Sequence, residues 1–286
     1  MRRLTGIAVA VAAAVVAFLP TSPAMASAPS SGFNVAGCKP SAAHPDPVVL
    51  LHGLGSSGSQ DFALIGPYLA SAGYCAFSID YGANSSFSAN GMAPIAQSAA
   101  QIAAFIASVR ADTGAAKVDL VGHSEGAFQS LYVPKFEGDA AVIGTVVALA
   151  PPTHGTTVDG IVTLGQVLGF GSNTVDNWFT DGSTCYACSD LITNGPAVTA
   201  LDNGPIAQPG ISYTVVATRD DEVVTPASTA FVNETGVRNM YVQDACPHDP
   251  VGHVGIAVDS TIEQIITNAL TPATAVRVNC GYGPPF

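Results

Sequence analysis

The chain has 286 residues, of which 48% are hydrophobic and only 10% are charged, and its formal net charge at pH 7 is -12. A composition this apolar and weakly charged excludes an intrinsically disordered chain, and the negative charge argues against nucleic acids or anionic membranes as partners. We therefore expect a folded, acidic protein with no nucleic-acid partner.

The N-terminal segment has the pattern of a secretory signal peptide. Two arginines precede an apolar run over residues 4–19, and Ala-Met-Ala at 24–26 offers a small-residue cleavage site. The run is shorter than the roughly 20 residues that span a bilayer, which disfavours a membrane anchor. We predict a signal peptide over residues 1–26, an extracellular location, and one mature catalytic domain over residues 27–286.

Strand and helix patterns then alternate along the chain. Apolar runs typical of buried parallel strands occur at 46–52, 74–80, 118–121, 142–149, 213–217 and 240–242. Helical spacing occurs at 62–69 and 94–109, and again after Ser124, Pro226 and Val254. This alternation predicts a single α/β domain with a mostly parallel central sheet flanked by helices.

One connection, residues 151–210, is longer than a single crossover needs. It contains apolar positions such as Val162 and Leu168, interspersed with glycines. We interpret the segment as a small mobile cap insertion that lines an acyl site, with a plain core helix as the alternative.

The strand predicted at 118–121 runs into Gly-His-Ser-Glu-Gly at 122–126. In a GxSxG turn between a strand and a helix, small residues let the backbones approach, and the serine oxygen projects above the sheet. This motif predicts that Ser124 is a nucleophile.

A glycine-rich turn follows the first predicted strand, at His52-Gly53-Leu54. Fixed backbone N–H groups stabilise the negative oxygen of a tetrahedral ester intermediate. We expect the N–H groups of Leu54 and Glu125 to form this oxyanion hole, and we assign no catalytic role to the Glu125 side chain. The alternative is a turn that merely leaves the strand.

The partners of Ser124 should follow it in the order acid, then histidine. His253 lies between the last predicted strand and the last helix, whereas the alternative, His248, lies in a proline-flanked loop. Three carboxylates at 220–222 follow the strand at 213–217, and we choose Asp221 as the acid with Asp220 as runner-up. The remaining candidates are expected to be solvated or helix-capping: Asp202, Asp244 and Asp249.

Six cysteines in an exported chain predict three disulfides. Cys38 and Cys75 flank strands that should be neighbours, and Cys185 and Cys188 are close in sequence, which leaves Cys246 for Cys280. No second CxxC accompanies residues 185–188, so we expect no metal site.

Jointly, these motifs resemble the class 2 lipases of actinobacterial type, over about residues 33–275. The resemblance is carried by residues 47–53, 73–75, 122–126, 221–226, 244–247 and 252–253. It implies the α/β-hydrolase fold, a triad of Ser124, Asp221 and His253, oxyanion donors at Leu54 and Glu125, and hydrolysis of esters or triacylglycerols without a cofactor. It also favours Asp221 over Asp220.

We therefore expect a secreted serine carboxylic-ester hydrolase, a lipase or esterase that forms an acyl-enzyme. The expected partners are a small-molecule or lipid ester and, transiently, a lipid or polymer interface, with the chain acting as a monomer. The alternatives are a polyester- or cutin-type hydrolase, a secreted serine peptidase, and a non-catalytic binding protein on the same fold.

Overall fold

A computed structural model of the chain describes residues 32–83, 89–171 and 185–286. The predicted signal peptide, 1–26, and the part of the predicted cap at 172–184 lie outside the described residues. Within the described ranges, no helix combines the length and the apolar character that crossing a membrane requires.

The described residues form seven strands and nine α-helices. The strands are β1 (Gly32–Phe33), β2 (Val48–Leu51), β3 (Cys75–Ile79), β4 (Val118–His123), β5 (Ile143–Leu149), β6 (Ser212–Ala217) and β7 (Val237–Tyr241). The helices are α1 (Gly58–Asp61), α2 (Ile65–Ser71), α3 (Ile95–Thr113), α4 (Glu125–Phe136), α5 (Val158–Val167), α6 (Tyr186–Leu191), α7 (Pro196–Asp202), α8 (Val242–Ala245) and α9 (Ser260–Leu270). Short 3₁₀ helices cover Asp139–Val142, Ala227–Ala230, Gly255–Val258 and Pro272–Thr274.

All strands pair in parallel in one sheet, in the order β1-β3-β2-β4-β5-β6-β7. This result confirms the predicted sheet flanked by helices. Helices α3 and α4 pack on one face, and α2 and α9 pack on the other. Every residue of β2 and β4 is buried, because these central strands have helices on both faces. Strand β2 therefore reads as a continuous apolar run, and β4 as an apolar run interrupted by Asp119.

The register brings the proposed functional segments to one edge of the sheet. Leu51 at the end of β2 pairs with Gly122 near the end of β4, and Leu149 at the end of β5 pairs with Val216 near the end of β6. Because the strands are parallel, the loops after β2, β4 and β6 leave the sheet side by side. Ligands of open α/β sheets bind at this edge.

The predicted elements differ from the observed ones mainly at the sheet edges. The two-residue strand β1 was not predicted, and β7 begins at Val237 rather than at Met240. Edge strands are covered on fewer sides, so polar residues such as Arg238 and Asn239 interrupt the apolar run that marks a central strand. The helix predicted after Pro226 is only the 3₁₀ helix Ala227–Ala230.

Three disulfides join Cys38 to Cys75, Cys185 to Cys188 and Cys246 to Cys280. The Cys246–Cys280 bridge precedes a C-terminal tail that packs on the loop around His253. In this tail, the carbonyl of Pro284 accepts a hydrogen bond from the N–H of Gly252 at 2.9 Å. The bridge therefore anchors the tail against the chain next to His253.

Replacing both Cys246 and Cys280 by serine should lower kcat by about fivefold, in addition to the roughly 2–5 kcal/mol of stability that a native disulfide contributes. The matched control is the Cys38 and Cys75 double serine variant, which opens a bridge of similar sequence separation, 37 against 34, at the amino end of β3. Kinetics at a temperature well below both melting points separate the two effects. Equal kcat values in the two variants would contradict a positioning role for the Cys246–Cys280 bridge.

Candidate active site

Ser124 lies on a tight turn between β4 and α4. Its backbone has φ 55° and ψ -119°, a conformation that an L-residue adopts only where the surroundings enforce it. A Cβ on Gly126 would collide with the carbonyl groups of Leu51 and His52, so glycine is required there for α4 to approach the end of β2. The turn places the serine side chain at the carboxyl edge of the sheet.

A chain of hydrogen bonds connects Ser124, His253 and Asp221. The Oγ of Ser124 lies 2.8 Å from Nε2 of His253, and Nδ1 of His253 lies 3.0 Å from Oδ2 of Asp221. His253 is fully buried, and the Asp221 side chain is 1% exposed. The structure thus brings together three side chains separated by up to 129 residues, in the arrangement of a nucleophile, a base and an orienting acid.

Asp221, rather than its neighbour Asp220, faces the histidine. Its Oδ1 accepts hydrogen bonds from the N–H groups of Val223 at 2.9 Å and Val224 at 2.7 Å, which hold the carboxylate in place. Asp220 is exposed at the surface of the same loop. His248, the alternative histidine, is also exposed.

Both backbone polar groups of His253, the N–H and the carbonyl, contact side chains that were not predicted to position this histidine. Its N–H donates to Oε2 of Glu222 at 3.1 Å, and its carbonyl lies 3.0 Å from Nε2 of His123. Glu222 follows Asp221 directly, so one loop orients both the ring and the main chain of His253.

His123 and Asp61 form a second histidine–carboxylate pair, next to the pair of His253 and Asp221. Nδ1 of His123 lies 2.9 Å from Oδ2 of Asp61, while its Nε2 faces the carbonyl of His253. Because both partners only accept hydrogen bonds, both ring nitrogens carry hydrogen and the ring is an imidazolium. Burial alone would lower the pKa of His123, but the Asp61 charge and these hydrogen bonds raise it. Burial would likewise raise the pKa of Asp61, but His123 and its hydrogen bonds hold it at about 2.

The two predicted oxyanion donors flank Ser124. Gly53 lies against the Cβ of Ser124, so Leu54 follows immediately beside it, and Glu125 is the next residue along α4. Within the described part of the chain, the N–H groups of Leu54 and Glu125 have no hydrogen-bond acceptor. Two unsatisfied donors next to a serine oxygen are what an oxyanion would require.

Helix α5, from the segment interpreted as a cap, runs beside this site. A Cβ on Gly55 would lie 2.9 Å from Leu168 and 3.1 Å from Phe170, so these side chains cover the loop after β2. Near its start, Gly160 packs against the carbonyl of Val223, next to Asp221. The described part of the predicted cap therefore borders both the loop after β2 and the loop that carries Asp221.

Asp249, expected to be solvated or a cap, is buried, and its Oδ1 accepts from Gly283 N–H at 3.1 Å. Asp61 gave no signal, because it lies in a short helix without a recognisable motif. Among the described residues, no cluster of three or more histidine, cysteine or acidic side chains is placed to hold a metal ion.

Comparisons with known proteins show the family and the fold of the chain. The family model for Lipase (class 2) matches residues 45–265. The crystal structure of Aspergillus fumigatus lipase B superposes with a TM-score of 0.61 at 18% identity, covering 84% of this chain and 54% of that one. The chain thus spans about half the length of that lipase.

Two further structures resemble the chain over most of their own length. Bacillus licheniformis lipase BlEst2 in its mature form gives a TM-score of 0.56 at 18% identity, covering 83% of this chain and 94% of that one. Pyrobaculum calidifontis esterase gives 0.54 at 15% identity, covering 81% and 78%. At these identities the likeness shows the fold, which is the α/β-hydrolase fold that the sequence predicted.

Proposed function

From the premise that this chain belongs to the class 2 lipase family, we propose that it hydrolyses carboxylic esters through a triad of Ser124, His253 and Asp221. The family makes the chain a hydrolase of the lipase and esterase type. The observation that carries the finer assignment is the hydrogen-bonded chain from the Oγ of Ser124 through His253 to Asp221.

In the proposed mechanism, Nε2 of His253 takes the Ser124 proton as Oγ attacks the ester carbonyl carbon. Asp221 holds Nδ1–H in place and stabilises the imidazolium. The new C–O bond turns the carbonyl oxygen into an oxyanion, which accepts hydrogen bonds from the N–H groups of Leu54 and Glu125.

The intermediate then collapses, and the bond to the leaving alcohol breaks as His253 gives the alcohol its proton. An acyl group now remains on Ser124. Water, deprotonated by His253, attacks this acyl group by the same route, and the carboxylic acid leaves as Oγ recovers its proton.

The substrates we propose are acyl esters, including triacylglycerols. Leu168 and Phe170 support this proposal, since they place apolar surface directly on the oxyanion loop, where an acyl chain would extend from the carbonyl. The test is hydrolysis of acyl esters of increasing chain length, an insoluble polyester and a peptide amide. Cleavage of the amide in preference to the esters would favour the alternative of a serine peptidase. Cleavage of none of these substrates would favour the alternative of a non-catalytic binding protein.

Replacing Leu168 by asparagine should reduce kcat/KM for long-chain esters roughly 10-fold relative to short-chain esters, because a polar side chain in an apolar site disfavours the longer acyl group. Val162, partly buried on α5, should respond in the same direction. Val167→Asn is the matched control, since Val167, the last residue of α5 and the neighbour of Leu168, is 40% exposed. Loss of stability at Leu168 with an unchanged chain-length preference would identify α5 as core instead.

Secretion remains a proposal that rests on the N-terminal pattern and on the three disulfides, which form in oxidising compartments. Expression of the full chain in a secreting host should yield a mature protein beginning near Ser27. N-terminal sequencing of the protein from the medium checks this expectation.

A further inference from the structure

A buried polar network that the proposed mechanism does not use lies behind the oxyanion loop. Glu125 is fully buried, and its Oε2 lies 2.6 Å from the hydroxyl of Tyr81. Its Oε1 accepts a hydrogen bond from Nε2 of Gln129 at 2.9 Å. The Tyr81 hydroxyl also lies 2.5 Å from the carbonyl oxygen of His52.

The Tyr81 hydroxyl has one hydrogen and two neighbouring oxygens, the carbonyl of His52 and Oε2 of Glu125. The His52 carbonyl only accepts, so the single hydrogen of the Tyr81 hydroxyl satisfies it. The short contact between Tyr81 and Oε2 of Glu125 then needs a hydrogen from Glu125. A neutral Glu125 carboxylic acid supplies that hydrogen by donating from Oε2 to the Tyr81 oxygen, which satisfies both contacts of Tyr81 at once.

The electrostatic surroundings support the neutral form. Burial is the largest cause that raises the pKa of Glu125, and the pKa reaches about 8 even though the ionised carboxylate would accept hydrogen bonds from Tyr81 and Gln129. The nearby Asp61 carboxylate on α1 raises the pKa further. The other ionisable groups facing the network are His52 at the end of β2, which burial keeps neutral, and His123 at the end of β4, which is paired with Asp61.

The network holds the peptide groups that lead to Leu54. Tyr81 binds the carbonyl of His52, and Oδ2 of Asp61 accepts the N–H of Gly53 at 2.6 Å, so the peptide between them is held at both ends. Nδ1 of His52 then lies 2.8 Å from the carbonyl of Gly53. In a trans peptide the C=O and N–H point in opposite directions, so this contact also sets the direction of the Leu54 N–H.

We propose that the neutral Glu125 acid and the Tyr81 hydroxyl are positioning groups that hold the oxyanion loop, and that ionisation of Glu125 releases it. This inference rests on the proposed serine ester hydrolysis. When Glu125 gives its proton to solvent base, the Tyr81 hydrogen turns to the new carboxylate. The His52 carbonyl then loses its donor, and the Leu54 N–H is held less firmly.

The first test is the pH dependence of kcat for Glu125→Gln on a soluble short-chain ester. The glutamine amide donates to Tyr81 and its oxygen accepts from Gln129, but it has no proton to lose. The wild type should lose activity on an alkaline limb centred near pH 8, where Glu125 ionises. The ratio of kcat at about pH 9.5 to kcat at about pH 7 should be about fivefold larger in the variant.

Asp119→Asn is the matched control. Asp119 is also a buried carboxyl with a raised pKa, about 7, caused by burial and by Asp46, but it lies near the opposite end of β4 from Ser124. Its alkaline-to-neutral ratio should match that of the wild type. Circular dichroism over the same pH range separates loss of activity from unfolding.

Tyr81→Phe removes the hydroxyl that joins the Glu125 side chain to the carbonyl of His52. We expect about a 10-fold lower kcat at neutral pH, with KM changed less than twofold and with the alkaline limb absent, because the loop is already released. A change in KM alone, or a fall in kcat that keeps the alkaline limb, would overturn the positioning role.

An infrared difference spectrum tests whether the Glu125 side chain is protonated, and it does so independently of enzymatic activity. The wild type at neutral pH should show the carbonyl stretch of a protonated carboxyl that Glu125→Gln lacks, and this band should vanish on raising the pH past about 8. No such band, or a Glu125→Gln profile identical to the wild type, overturns the inference while ester hydrolysis stands. A wild type that hydrolyses no ester overturns the proposed function and the inference together.

Discussion

Ser124→Ala should lower kcat/KM for a short-chain ester by about 10⁴-fold or more, because the proposed nucleophile is removed and the remaining oxyanion donors only assist uncatalysed attack by water. The substitution keeps the Cβ of Ser124, so the packing of the turn against Gly53 is unchanged. The melting temperature should therefore stay within a few degrees of the wild type. Initial rates and thermal unfolding are the two measurements.

Ser130→Ala provides the matched control for this experiment. Ser130 is buried on the same helix, α4, and its hydroxyl donates to the carbonyl of Ala127 at 2.7 Å, within the helix. Its loss should change kcat/KM less than threefold, as expected of a side chain that contacts no proposed catalytic group. Activity of Ser124→Ala within tenfold of the wild type would place the nucleophile elsewhere.

Asp221→Asn should reduce kcat by about 10²–10⁴-fold, whereas Asp220→Asn should change it less than threefold. Asp221 is buried and accepts from the His253 ring, and an asparagine amide there favours the wrong tautomer of the histidine. Asp220 is exposed and makes no contact with that ring among the described residues. Steady-state kinetics of the two purified variants provide the comparison.

The Asp221 variant also loses part of a local structural role, since Oδ1 of Asp221 accepts from Val223 and Val224. Asparagine retains one oxygen acceptor, so a circular dichroism spectrum matching the wild type shows that the loop still folds. A larger loss at Asp220 than at Asp221 would make Asp220 the orienting acid.

The central strands could be predicted because their environment leaves a direct trace in the sequence. Residues of β2 and β4 are buried on both faces, and their mostly apolar residues predicted both strands close to their true bounds. Strand β7 lies at the edge, and its alternating exposure shifted the prediction towards Met240. Short 3₁₀ elements such as Ala227–Ala230 were predicted as helices because local apolar spacing does not specify their length.

The sequence by itself determined the fold class, the family and the position of the GxSxG turn, because each is encoded in local periodicity or in a contiguous motif. It also named Ser124, Asp221 and His253, which the structure places within hydrogen-bonding distance of one another. Only the tertiary structure decided which residues hold the main chain of His253 in place. Glu222 and His123 hold the main chain of His253 across 31 and 130 residues.

Likewise, the raised pKa of Glu125 depends on complete burial, and its contact with the Tyr81 hydroxyl joins residues 44 positions apart in sequence. The physical reason is common to these cases. A hydrogen bond or a shifted pKa depends on distances of a few ångströms between groups that the chain brings together only by folding, and no local pattern of residue types records such distances.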